Sequence, residues 1–157
     1  QSAGAQVILC DREPFRLECA QRIGLDRTIN VAEEPLVSTV ESWTDGEFAD
    51  AVVDAVGNQF DNCLDIVQVG GVIALFGMNT HATPAVRQSE ITRKEVTVIG
   101  SYVGRHAFPR AVMLLEKKII QPSALITHEI DVEQFRDGLD AARSGKAMKV
   151  VVTPGSA

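Results

Sequence analysis

The amino-acid sequence predicts an α/β protein built on a doubly wound parallel sheet. Three observations carry this. Strand-like and helix-like stretches alternate almost strictly along the 157 residues, the pattern that βαβ units produce. The strand-like stretches are apolar nearly throughout, as strands covered on both faces are. Several end in acidic or small residues (Asp11, Asp54 to Asn58, Gly77, Gly100 and Ser101), at the carboxyl edge where sheets of this class hold ligands.

Taken in order, AQVILC at 5–10 is the first strand and runs up to Asp11. A helix follows from Pro14 to Ile23. The apolar positions Phe15, Leu17, Ala20 and Ile23 fit a helix, proline suits its first turn, and Gly24 stops it. RTINV, 27–31, is a short second strand, and Glu33 to Trp43 is helical with Leu36, Val37 and Val40. ADAVVDAV, 49–56, is the third strand. Phe60, Cys63, Leu64 and Val67 then repeat at i, i+3, i+4 and i+7, which is helical spacing. GGVIALFGM, 70–78, and VTVIGSYV, 96–103, are two further strands. Phe108, Ala111, Val112, Leu115 and Ile119 line a helix that stops before Pro122, and THEID, 127–131, is a short extended piece. Val132, Phe135, Leu139 and Ala142 form the stripe of a last helix ended by Gly145, and KVVVTP, 149–154, is the final strand. There is no internal repeat, low-complexity stretch or linker.

Composition excludes several classes. A net charge of −6 argues against nucleic acid, which calls for clustered Lys and Arg. The apolar runs are far shorter than a membrane span, and no basic-then-apolar leader is visible. Cys10, Cys19 and Cys63 lie in apolar surroundings without C-x-x-C spacing. They read as buried thiols of a reducing, cytoplasmic compartment. His81, His106 and His128 lack metal-ligand spacing and read as satisfied or exposed. RSGK, 143–146, has the wrong glycine spacing for a phosphate loop.

The candidate chemistry begins at Asp11. In dinucleotide-binding sheets an acid ending the second strand bonds the ribose hydroxyls, about 20 residues after a glycine fingerprint. Counting back that far from Asp11 passes Gln1, so the sequence places any such loop upstream of it. The alternative is that Asp11 only caps the next helix. In VVDAVGN, 52–58, small residues after the strand let a flat ring lie against the backbone. Gly77 is expected to leave the backbone open at the end of the next strand, and Gly100, Ser101 and Gly104 do the same for the one after it. Arg16, one helical turn beyond Asp11, is placed to sit over the ribose, and Lys149 to meet a pyrophosphate. A solvated surface charge is the ordinary reading of each.

The chain resembles the C-terminal part of medium-chain, zinc-type alcohol dehydrogenases, the group with polyol and threonine dehydrogenases. The order and spacing of five stretches carry the resemblance: GAQVILCDREPFRLECAQRIGLDRTIN, ADAVVDAVGN, GGVIALFGM, VTVIGSYVG and ALITHEIDVEQFRDGLDAARSGKAMKVVVTP. It implies a Rossmann-like sheet lacking its first strand, with a partial NAD(P)-binding domain over 1–104. Residues 105–157 would then be helices and a strand returning toward the catalytic domain. Asp11 would hold the adenosine ribose with Arg16 beside it, and Val56 and Gly57 would line the adenine side. Phe76, Gly77, Met78, Ser101, Tyr102 and Val103 would approach the nicotinamide, and Lys149 would replace a basic pyrophosphate contact. The cofactor would be NAD. Zinc would act only in the intact enzyme, through residues absent here, on a small alcohol or polyol.

The resemblance leaves neighbouring readings: a zinc-free quinone reductase of the same superfamily, an S-adenosylmethionine-dependent methyltransferase, or a non-catalytic nucleotide-sensing domain. It also implies a homodimer paired through strand 96–103, unless the segment from His81 to Glu95 or the tail helix covers that edge. The strands at 5–10 and 49–56 are expected to flank an empty central slot, with KVVVTP the only spare strand. The chain alone is expected to turn nothing over.

Overall fold

The structure is a computed structural model that describes residues 3–102, 104 and 107–155. Along the chain run β1 (Ile8–Asp11), α1 (Pro14–Arg22), β2 (Arg27–Asn30), α2 (Leu36–Trp43) and β3 (Ala49–Asp54). They are followed by α3 (Phe60–Ile66), β4 (Val67–Leu75), α4 (Gln88–Arg93) and β5 (Thr97–Gly100). α5 (Phe108–Glu116), β6 (His128–Asp131), α6 (Phe135–Arg143) and β7 (Val150–Thr153) complete the order. Contacts gather these elements into two compact units, one made of 1–33 with 109–157 and the other of 34–108.

In the first unit β1 and β2 form a parallel ladder from Ile8↔Arg27 to Asp11↔Asn30. A parallel pair needs a crossover, and α1 supplies it. Pro14 opens this helix, where a missing N–H costs nothing. Leu17, Cys19 and Ala20 are buried, as is Ile29 of β2. Leu17 and Ile29, so removed from water, each contribute roughly 1.5–3 kcal/mol. β6 and β7 form a second parallel ladder, His128↔Val150 to Asp131↔Thr153, with α6 as the crossover. The expected spare strand is therefore paired with β6.

In the 34–108 unit β3, β4 and β5 lie side by side, all parallel. α3 connects the first two and buries Phe60, Cys63 and Leu64 against Val67, Ile73 and Val96. The four positions read at helical spacing are all in this core, but Val67 belongs to the strand. α3 passes into β4 without a loop, so β4 starts three residues before the expected Gly70 and ends at Leu75. The register jumps from Ala49↔Val67 to Ala51↔Val72. Gly70 sits in that bulge at φ +76°, its N–H donating 2.7 Å to the Lys94 carbonyl.

Several expectations are corrected. β1, β2, β3, β5 and β7 are shorter than the apolar runs, and among the described residues β3, β4 and β5 are covered on one face only. Val52, Ile73 and Val98 share one face by register, and α3 packs there. Val53, Ala74 and Ile99 share the other, where Val53 is 60% and Ile99 50% exposed. An apolar run records which faces suit burial, not which are covered. Cys10 is exposed, whereas Cys19 and Cys63 are buried as expected. α4 lies in a stretch the sequence left unassigned, and α2 begins at Leu36 because Pro35 precedes it. Among the described residues β1 ladders only with β2, and β3 only with β4, so each has one unladdered edge.

Candidate functional site

The ends of β3 and β4 are built around Asp54, the last residue of β3 and only 4% exposed. Its Oδ1 accepts the N–H groups of Val56 at 2.9 Å and Gly57 at 2.7 Å, and its Oδ2 that of Gln59 at 3.0 Å. Its main-chain carbonyl accepts Phe76 N–H at 3.0 Å and Gly77 N–H at 2.7 Å. A carboxylate this buried persists only when its oxygens are satisfied. Here the satisfying donors are the backbones of two neighbouring loops. One residue thereby fixes residues 55–59 and the start of 76–79.

The two loops also interlock. A Cβ on Gly77 would lie 2.3 Å from Val56 N and 2.4 Å from Gly57 N, and one on Gly57 would lie 2.6 Å from Asn79 N. Gly57 has φ +91°, a conformation glycine adopts without steric cost. The backbone at Gly77 is thus closed by the neighbouring loop, not open to a ligand as the sequence suggested. What the loops present outward is side chain: Val56, Phe76 at 57% exposure and Met78 at 69%. Ser101 N–H extends the edge by donating 2.9 Å to Leu75 O, and Ser101 and Tyr102 are exposed. Val103, like His106, lies outside the described residues. Such an apolar lip at the carboxyl end of a parallel sheet suits a flat, partly apolar ligand. Asp54 was not among the residues selected from sequence. The cue was an acid followed by Ala-Val-Gly at a strand end.

In the other unit Asp11 ends β1 and is half-buried. Oδ1 accepts Glu13 N–H at 3.0 Å, and Oδ2 accepts Arg16 Nη1 at 3.3 Å. Glu13, not Asp11, occupies the cap position of α1, so the capping alternative does not describe it. A carboxylate offers about four lone-pair sites, and two are used here. The remainder face a half-exposed turn, and ribose hydroxyls are donors of the required kind. Arg16 lies 5.8 Å over the Phe15 ring. Its pair with Asp11 is part-buried and long at 3.3 Å, so it orients the two side chains more than it stabilises the fold. Cys10, just before Asp11, is exposed as a residue, yet local burial pushes its thiol up to about 11. Lys149 directly precedes β7; its carbonyl accepts Thr127 N–H at 3.0 Å and His128 N–H at 3.3 Å, and its side chain is exposed.

The sequence-selected residues thus fall into two groups: Asp11, Arg16 and Lys149 in one unit, and Val56, Gly57, Phe76, Gly77, Met78, Ser101 and Tyr102 in the other. Among the described residues no three His, Cys, Asp or Glu side chains gather as a metal site. Among the described residues no helix is long and apolar enough to cross a membrane.

A family model described as zinc-binding dehydrogenase matches residues 1–117. The L-threonine 3-dehydrogenase of Shewanella halifaxensis is 31% identical over 150 residues, 93% of this chain and 43% of its own length. The erythritol/L-threitol dehydrogenase of Mycolicibacterium smegmatis is 27% identical, over 95% of this chain and 42% of its own. Among solved structures, an alcohol dehydrogenase from Thermus sp. ATN1 superposes with a TM-score of 0.86 at 27% identity, covering 95% of this chain and 44% of that one. An alcohol dehydrogenase from E. coli CFT073, solved with NADH, gives 0.82 at 26% identity, covering 94% and 44%. The chain therefore spans less than half the length of the proteins it resembles.

Proposed function

This chain belongs to the zinc-binding dehydrogenase family, and we propose that it forms the nicotinamide-cofactor-binding portion of an NAD-dependent alcohol or polyol dehydrogenase. The observation that supports this best is Asp11, a half-exposed carboxylate at the carboxyl end of a parallel strand with acceptor sites to spare. In this reading Asp11 accepts the adenosine ribose hydroxyls, Arg16 flanks them, and Lys149 faces the pyrophosphate. Val56 and Gly57 line the adenine side. Phe76, Gly77, Met78, Ser101 and Tyr102 lie toward the nicotinamide. The bound nicotinamide accepts hydride from the alcohol carbon. This chain binds and orients the cofactor and, among its described residues, offers no metal ligand set for the family's zinc. By itself it produces no NADH from an alcohol. Its compartment is the cytoplasm.

A carboxylate at the ribose repels a 2′-phosphate, so NADH is the better ligand. Fluorescence titration of the purified protein with NADH, NADPH and S-adenosylmethionine tests the reading. NADH is expected to bind more tightly than NADPH, and S-adenosylmethionine not at all. Tighter NADPH binding makes the role of Asp11 wrong, and S-adenosylmethionine binding replaces the reading with a methyltransferase. The proposal includes a homodimer through β5, an exposed sheet edge of the kind proteins pair or cover. Ile99→Lys is expected to give monomer by sedimentation, and an unchanged assembly state assigns the dimer contact elsewhere.

A further inference from the structure

Asp54 holds two loops by two separate means. Its carboxylate accepts N–H groups from Val56, Gly57 and Gln59, all in the loop that follows it. Its main-chain carbonyl accepts N–H groups from Phe76 and Gly77, both in the loop after β4. The two sets share no donor, and what joins the loops to each other is packing. Val56 N and Gly57 N fill the space over Gly77, and Asn79 N and Gly77 O fill the space over Gly57. Backbone meets backbone there, with no flexible side chain between to absorb a displacement, so a shift in one loop is passed to the other. An acid that merely closed the turn into α3 would account for the bonds within 55–59. It would not account for the interlock, nor for Val56, Phe76 and Met78 standing exposed on the pair of loops that share it.

We propose that Asp54 is a positioning residue that couples the two halves of the cofactor surface. Its buried oxygens are taken up by backbone N–H groups, so it acts on a ligand only through the loops. By fixing residues 55–59 it also fixes, through the interlock, where residues 76–79 hold their side chains. The adenine-side and nicotinamide-side contacts then form one surface rather than two independent ones. A cofactor held by one loop finds the other already placed, which lowers the ordering cost of binding. The names of the two sides rest on the function proposed above. The coupling itself rests on the hydrogen bonds and the interlock alone.

Asp54→Asn tests this, because the main-chain carbonyl that Phe76 and Gly77 use stays in place. The amide keeps one acceptor oxygen for Val56 and Gly57 and turns an NH2 group toward the Gln59 N–H, which loosens the first loop alone. Amide hydrogen exchange of the purified protein is read first, without ligand. Each rate is divided by the change at Ile73, buried in β4, which reports global opening. Coupling predicts that Phe76 and Gly77 exchange about tenfold faster along with Val56, Gly57 and Gln59. Faster exchange confined to 56–59, or one common factor at every amide, overturns the proposal. Gly77→Ala enters from the other loop and is expected to speed Val56 and Gly57 on the same scale; unchanged rates there overturn it as well. Titration with ADP-ribose, which lacks the nicotinamide, and with NADH then reads the two sides. Asp54→Asn is expected to weaken ADP-ribose about tenfold and NADH by more, with the emission of bound nicotinamide moving toward that of free NADH. Equal weakening of the two ligands overturns the reach to the nicotinamide side. Failure of the wild type to bind either ligand counts against the cofactor and not against the coupling, which the exchange rates decide.

Discussion

Asp11 and Asp54 occupy the same formal position, the last residue of a parallel strand, and they have opposite circumstances. Asp54 is buried, and both its oxygens are committed to backbone N–H groups of its own loop. Asp11 is half-buried, holds one N–H and one guanidinium, and keeps acceptor capacity. The first acid shapes a surface, and the second is left available to bind. Residue type and position alone therefore do not identify a ligand contact. The lone pairs already used separate the two acids.

The contrast breaks most visibly at Asp54. Asp54→Ala removes the acceptor of three N–H groups and is expected to cost about 4 kcal/mol, read as a lower urea midpoint. Asp54→Asn keeps one acceptor oxygen and should lose about half as much. Equal midpoints for wild type and Asp54→Ala would show that solvent replaces the carboxylate. Gly77→Ala comes next at about 3 kcal/mol, because its Cβ meets backbone rather than a movable side chain. Beside Asp11 the expected changes are chemical. A Cys10 thiol raised from 9.0 to about 11 has about a hundredfold less thiolate near pH 8 than an ordinary cysteine. Its alkylation by iodoacetamide should climb about tenfold per pH unit and level off only near pH 11. A plateau near pH 9 would mean the thiol is solvated. Smallest is Asp11→Ser, expected to leave the urea midpoint nearly unchanged while weakening NADH about tenfold and shifting preference toward NADPH. A large stability loss there would make Asp11 a second structural acid.

The alternating pattern made the helices and the parallel class legible, because helical spacing and strand runs are local signals. α1 falls within one residue of expectation, and Phe60, Cys63 and Leu64 are buried as their spacing indicated. Strand ends were less legible. β4 begins inside the apolar run that also ends α3, and spacing alone cannot divide such a run. At the candidate site the sequence marked Asp11, whose place at a strand end the structure shares, and misjudged the openness of Gly77. A glycine at a strand end looks the same whether a ligand or another loop approaches it, and only coordinates show Val56 N filling the space over Gly77.

The loopless passage from α3 into β4 also constrains how the gene can change length. With no connecting residue, a one-residue insertion in α3 that is passed on as a register slip would turn the side chains of β4 to the opposite face. Lys94 tightens the junction further, its ammonium donating 2.8 Å to Leu64 O in the helix and 3.1 Å to Val67 O in the strand. The bulge at Gly70 is where the ladder already carries surplus residues. Insertions and deletions tolerated between β3 and β5 should therefore collect there or between Asn79 and Arg87, while the stretch from Phe60 to Val67 keeps its length.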